Sequence, residues 1–204
     1  MNKVDYKKEL KQLYSAKVGK PVVIKVPKMN FLMIDGKGDP NTSQEYMDAI
    51  QALYPVAYTI KFMCKKELEK DFGVMPLEGL WWTEDMHNFS TKDKSDWLWT
   101  AMIMQPDIVS KEVYDRAVKQ VAEKKKPNAL SKLRLEAYDE GRSAQVMYIG
   151  PYDEEGPTIL DLHNFIKEQG GKLDNSNKHH HEIYLGDPRR TDPSKLKTII
   201  RQPY

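Results

Sequence analysis

The sequence predicts an α+β fold: duplicated strand-helix-strand-strand units paired about a pseudo-twofold axis, with a cleft between them. Two observations carry this reading. The order of apolar runs, turn clusters and helical periods in the first half recurs in the second, and short letter strings recur at matching places. Thr100-Ala101-Met102-Ile103-Met104-Gln105-Pro106 closes the first half and Thr198-Ile199-Ile200-Arg201-Gln202-Pro203 the second, while Met33-Ile34-Asp35-Gly36 parallels Met147-Tyr148-Ile149-Gly150. Two matches at corresponding positions favour duplication over chance.

In the first half, the apolar run Phe31 to Ile34 stops at the turn cluster Asp35-Gly36-Lys37-Gly38-Asp39-Pro40, and Thr42 or Ser43 then caps a helix. Tyr46, Met47, Ile50, Leu53 and Tyr54 fall at helical spacing; Pro55 predicts a kink or a break before Val56, Tyr58, Ile60 and Phe62. Leu77 to Thr83 and Trp97 to Gln105, rich in tryptophan and large apolar residues, read as an antiparallel strand pair.

The second half gives a strand at Ala144 to Ile149, a turn at Gly150-Pro151-Tyr152, a helix from Glu154 to Gln169, and strands at His181 to Leu185 and Leu196 to Gln202. Between the halves Ser110 caps an amphipathic helix through Val113, Tyr114, Ala117, Val118 and Val121. Lys132 to Tyr138 adds a strand expected to form a hairpin across the Glu140-Gly141 turn, with Val22 to Val26 as its counterpart in the first half. The chain thus reads as one domain, residues 1–204, with pseudo-repeats at about 22–106 and 130–203 linked by a helix at about 110–125. Each half alone exposes one face of a small sheet, so the two pair, and their seam is a favoured place for a small-molecule site.

Composition narrows the function. Thirty-two basic against thirty acidic residues leave a formal charge of +2, which gives no electrostatic footprint for direct nucleic-acid binding. The one basic run, Lys124-Lys125-Lys126, ends the amphipathic stretch, where it suits the negative end of a helix dipole. A single cysteine, Cys64, allows no internal disulfide, so a reducing compartment, the cytoplasm, is expected. No apolar run approaches membrane-spanning length and the first twenty residues lack a leader pattern, so no membrane partner is expected. The oligomeric state is not encoded in this pattern.

Gly150-Pro151-Tyr152 before a helix, followed by Glu182-Ile183-Tyr184-Leu185-Gly186-Asp187-Pro188, resembles the signature of the GyrI-like small-molecule-binding family. Phe31 to Pro40 and Pro76-Leu77-Glu78-Gly79-Leu80-Trp81-Trp82 resemble its stand-alone members, so the similarity runs from Val22 to the C-terminus. The family serves as the drug-sensing part of transcription activators; here about twenty residues precede the first strand, too few for a helix-turn-helix. Stand-alone relatives include hydrolases that open the strained cyclopropane of spirocyclopropyl cyclohexadienone genotoxins of the duocarmycin and yatakemycin type, and the tryptophan-rich strands point to that branch. The resemblance therefore implies a cofactor-independent hydrolase for planar aromatic or electrophilic small molecules, acting in detoxification or antibiotic resistance. A non-catalytic multidrug-binding, sequestering or sensing protein is the alternative, and inhibition of DNA gyrase through protein contact is a third reading.

Glu182 is the candidate catalytic carboxylate, carried over from the family's acidic position. Strand alternation sets Glu182 and Tyr184 on one face. In an apolar cleft desolvation is expected to raise the glutamate toward neutrality, as a base activating water requires, whereas an exposed strand glutamate merely pairs with lysine. Water attack on the cyclopropane sends electrons to the ring carbonyl, so a donor is needed there; Tyr148, on what is read as the opposite central strand, is the first candidate, with Tyr152 and His163 behind it. Trp81, Trp82, Trp97 and Trp99 are candidate ligand walls, with Trp81 and Trp82 on opposite faces and at least one of the four in the core. Met33 and Met147, together with Tyr152, Tyr184 and His163, complete the ligand-binding set. His179-His180-His181 reads as a solvated loop running into a strand rather than a metal site, since consecutive strand residues diverge and no spaced carboxylate set completes a site; no metal is expected. Cys64 reads as inert.

Overall fold

The computed structural model of the chain describes residues 3–84, 94–173 and 179–204. Its centre is an eight-stranded antiparallel sheet. The strands come in chain order as β2 (Val22–Val26) and β3 (Met29–Lys37), then β5 (Glu78–Trp82) and β6 (Leu98–Gln105), β7 (Arg134–Tyr138) and β8 (Gly141–Ile149), and finally β9 (His180–Tyr184) and β10 (Lys197–Pro203); they lie in the order β2-β8-β10-β9-β5-β6-β3-β7. Two short strands, β1 (Lys3–Val4) and β4 (Asp71–Phe72), pair in parallel apart from it. Counting outward from the β5–β9 seam, each half presents its second, third and first strand in turn, which is the internal symmetry expected of a duplicated unit.

The edge strands depart from expectation. β7 pairs with β3 instead of forming a hairpin with β8, and β2 pairs with β8 instead of β3. Each half therefore receives its outermost strand from the chain segment next to the other half. Sequential strands usually neighbour one another, but the connection Asp139-Glu140 is drawn inward here, because Glu140 is buried in an ionic cluster described below.

Helix α3 (Gln44–Glu67) is one continuous helix through Pro55, correcting the expected break. Ser43 caps it by accepting from the Tyr46 N–H, and Thr59 Oγ1 donates to the Pro55 carbonyl within the same helix. It packs on β3 and β6. Helix α5 (Gly156–Glu168) packs on β8 and β10 through Ile159, Leu162 and Ile166 against Ala144, Val146 and Ile200. It starts two residues later than the sequence suggests, after a 3₁₀ turn over Tyr152–Glu154. Helix α4 (Lys111–Lys124), capped by Ser110, lies against α3.

Register assigns the faces, since directly paired residues point the same way. Trp99, Trp81 and Gly79 in the first half share a face with Glu182, Tyr184, Ile200 and Val146 in the second. Both α3 and α5 sit on that face, Tyr46 of α3 touching the Trp81 and Trp99 rings. The far face carries Met33, Met102, Glu78, His181, Arg201 and Met147. Over it lie two short N-terminal helices, α1 (Tyr6–Glu9) and α2 (Lys11–Tyr14): Tyr14 Oη donates to Glu78 and Gln145 Nε2 to the Gln12 carbonyl.

Candidate functional site

The seam strands carry two polar clusters back to back. On the helix face, β9 presents the buried His180 and Glu182 and the half-buried Tyr184, between α3, which packs on β3 and β6, and α5, which packs on β8 and β10. Glu182 is only 4% exposed. Its Oε2 accepts from Tyr184 Oη at 2.7 Å and its Oε1 lies 3.1 Å from His180 Nε2. Trp81 Nε1 in turn donates to Tyr184 Oη at 3.1 Å, which fixes the tyrosine between an indole and a carboxylate. Gly79, opposite Glu182 in the register, leaves this space open: a Cβ there would fall 2.6 Å from Trp81 Nε1.

Glu155, in the turn just before α5, completes the cluster. It is 3% exposed, one of its carboxyl oxygens lies within 4.8 Å of a Glu182 oxygen, and its Oε2 is buried and accepts no hydrogen bond among the described residues. Two carboxyls in contact in a water-poor site cannot both be ionised, so their affinities for the proton split. Burial, the Glu182 charge and their mutual hydrogen bond push Glu155 well above the carboxylate range. Burial opposes the charge on Glu182 too, but its contacts with His180, Glu155 and Tyr184 outweigh it and hold that carboxyl below the usual value. The expected upward shift of Glu182 is thereby corrected: it falls on Glu155 instead.

Aromatic groups surround the pair. Tyr46, Tyr152 and Tyr184 are half-buried, and Tyr152 meets Tyr184 edge to face at 5.4 Å. Burial and the Glu182 charge push Tyr152 up to about 12, and the same two influences raise Tyr46 and Tyr184 further, so all three keep their protons at neutral pH. Trp97 packs against Trp81 with ring centres 5.4 Å apart, and the buried Lys94 lies over Trp97 while its Nζ reaches Asp153 at 3.1 Å, spanning the seam. Trp99 is fully enclosed beneath Gly36 and Tyr46, and Trp81 and Trp97 are buried in the same core. His163 of α5 is half-buried on the same side, and burial and His180 drive it down to about 4, so it is neutral.

Other candidates lie elsewhere. Tyr148 is on β8, separated from β9 by β10, and its hydroxyl donates to the Pro151 carbonyl at 2.9 Å beneath Gly150; it braces the turn. Gly150, at φ 151°, is needed there because a Cβ would sit 2.4 Å from that hydroxyl. Met33 and Met147 are on strands third from the seam, and both face away from Glu182. Trp82 also points to the far face, where it stacks on His179 at 4.1 Å and lines a surface cavity of about 550 Å³ with Asp35, Leu98, Thr100 and Arg134; Glu182 is not among the lining residues. Cys64 is buried within α3, which pushes its thiol up.

The far-face cluster was not foreseen. His181, expected in solvent, is 0% exposed and bridges Glu78 through Nε2 and Glu140 through Nδ1, both at 2.9 Å. Arg201 adds a bond to Glu140 at 3.0 Å and donates to the Leu13 carbonyl, which ties the N-terminal helices to the sheet. Burial favours neutral groups, but His181 and Arg201 hold Glu140 down at about 2, and Glu140 and Glu78 raise His181 despite its burial.

Glu155, His180 and Glu182 each bring one donor atom to within 4.8 Å of the others, so a carboxylate set does join the histidine run, contrary to the sequence reading. His180 and Tyr184 take Glu182 from both sides and the Glu155 carboxyl lies beside it, so the three ligand atoms sit in a buried carboxyl–imidazole cluster.

A family model for the GyrI-like small molecule binding domain matches residues 19–204. The chain belongs to the GyrI-like family. Solved structures similar to this GyrI-like chain include an uncharacterized conserved protein from Listeria innocua, at 45% identity over 98% of both chains with a TM-score of 0.90. Two others from Listeria innocua are described as hydrolases: one at 47% identity over 99% of both chains with a TM-score of 0.87, the other at 44% over 98% of both with 0.84. No curated protein matches. Among the described residues no helix is long and apolar enough to cross a membrane.

Proposed function

We propose that this GyrI-like protein is a hydrolase that adds water to the strained cyclopropane of spirocyclopropyl cyclohexadienones, with Glu182 activating the water. The observation that carries this reading is the buried Glu182 carboxyl held at the seam of the sheet among tyrosine and tryptophan rings. Relatives at 44–47% identity described as hydrolases support the reaction class.

Glu182 takes a proton from water as the oxygen bonds to the cyclopropane methylene. The ring bond breaks, its electron pair moves through the dienone to the carbonyl oxygen, and a phenolate forms that is then protonated, so the net change is one added water. Tyr152, protonated and at the edge of the cluster, takes the donor role at the developing oxyanion that the sequence reading placed on Tyr148; such a donor contributes ~2.7–4 kcal/mol. Tyr46 and Tyr152, half-buried beside the pair and backed by Trp81, are the ring surfaces proposed for a planar ligand, each good ring pair adding about 0.5–1.5 kcal/mol.

The test is incubation with a spirocyclopropyl cyclohexadienone followed by mass spectrometry. Multiple turnovers to a product heavier by one water are expected, with kcat falling roughly 10²–10⁴-fold in Glu182→Gln. Saturable binding of unaltered compound would make the protein a binding module instead.

A further inference from the structure

Glu182 has a buried companion that the water-activation scheme leaves without a task. Glu155 reaches it from a different element, the turn entering α5, while Glu182 stands on β9. The Glu182 oxygens already accept from Tyr184 and contact His180, whereas Glu155 Oε2 is buried and accepts no hydrogen bond among the described residues. An ionised carboxylate left with an unsatisfied buried oxygen is strongly disfavoured, whereas a carboxylic acid that donates to its neighbour is not.

We propose that Glu155 is a positioning residue for Glu182: as a carboxylic acid it donates a hydrogen bond to the Glu182 carboxylate, fixes the rotamer of that anion, and keeps the pair at a single negative charge. The inference rests on the hydrolase reading for its kinetic consequence, and for its protonation state on the burial and mutual approach of the two carboxyls and on the unsatisfied Glu155 oxygen.

The surroundings set the sign of the pH effect. Glu182, His180 and Tyr184 face Glu155 from β9, Tyr148 from β8, Asp153 and Tyr152 from its own turn, and Lys94 from the segment before β6. Lys94 favours the anion, but burial, Glu182 and Asp153 oppose it and prevail. Glu155 therefore keeps its proton above the ordinary carboxylate range and loses it only as the pH rises further. At that point the pair carries two like charges, the donated hydrogen bond disappears, and Glu182 is displaced.

Glu155→Gln retains an N–H donor and has no proton to lose, whereas Glu155→Ala removes the donor. Two measurements decide the matter. In protein carrying ¹³C-glutamate, infrared spectra at neutral pH should show a protonated-carboxyl band that Glu155→Gln lacks. In the turnover assay, kcat of the wild type should fall on the alkaline side, Glu155→Ala should lose ~10²-fold at neutral pH, and Glu155→Gln should recover about tenfold of that and show no alkaline fall. Absence of the infrared band, its persistence in Glu155→Gln, equal losses in both variants, or an alkaline fall that survives in Glu155→Gln would each overturn the proposal. A wild type without turnover would sink the hydrolase reading alone, and the infrared band would still decide the protonation of Glu155.

Discussion

At the scale of single residues, β9 shows how much of a site alternation reveals. Glu182 and Tyr184 were placed on one face from sequence, and the structure puts them within 2.7 Å of each other. Glu155 was invisible because it belongs to the acidic run Asp153-Glu154-Glu155 at a helix entrance, where carboxylates are common for dipole reasons and nothing local tells which one is buried. His181 was misread for a related reason: three consecutive histidines look solvated unless their distant partners are known, and Glu78 and Glu140 lie 103 and 41 positions away. Removing that imidazole leaves two buried carboxyls with Arg201 as their remaining cation. His181→Gln should therefore lose about 3–5 kcal/mol of stability in urea unfolding. The pH dependence has a definite sign. Because the folded-state value of His181 is raised, its stabilisation is fully present below the ordinary imidazole pKa and disappears as the pH climbs through the raised value, a decline that His181→Gln should lack.

At the scale of elements, glycine spacing in β5 decides whether the tryptophans can sit as they do. Gly79 and Trp81 share a face two residues apart, and the indole lies back over the glycine. Gly79→Ala should force Trp81 out of place, cost about 1–3 kcal/mol and break the bond to Tyr184, read together as a lower urea midpoint and altered tryptophan fluorescence. The elements themselves were largely legible: the strands from β2 to β10 that form the large sheet and the capped helices α3 and α4 follow from apolar periods and from Ser43 and Ser110. The reading stumbled at Pro55, where a helix of 24 residues held by tertiary packing absorbs a proline that local propensity counts as a breaker. It stumbled again over α1 and α2, four residues each and too short to show a period.

At the scale of the whole molecule, symmetry was legible and the exchange of edges was not, because letter strings report what repeats while hydrogen-bond partners between distant strands leave no local mark. Since β2 completes the second half and β7 the first, neither half is self-sufficient. Fragments 1–126 and 127–204 should each remain unfolded alone by circular dichroism and regain sheet signal when mixed, and the intact chain should unfold in one transition seen alike by fluorescence and circular dichroism. Independent melting of the two repeats would contradict this picture.

The two polar clusters of β9 occupy alternate residues of one five-residue strand. A mutation that shifts this strand to suit a new ligand also strains the ionic lock behind it, so the strand offers little freedom for retuning selectivity. Variation is cheapest on the ceiling: Tyr46 on α3 and Tyr152 in the turn before α5 contact the site without being woven into the sheet. A directed-evolution library aimed at other electrophiles is best concentrated there.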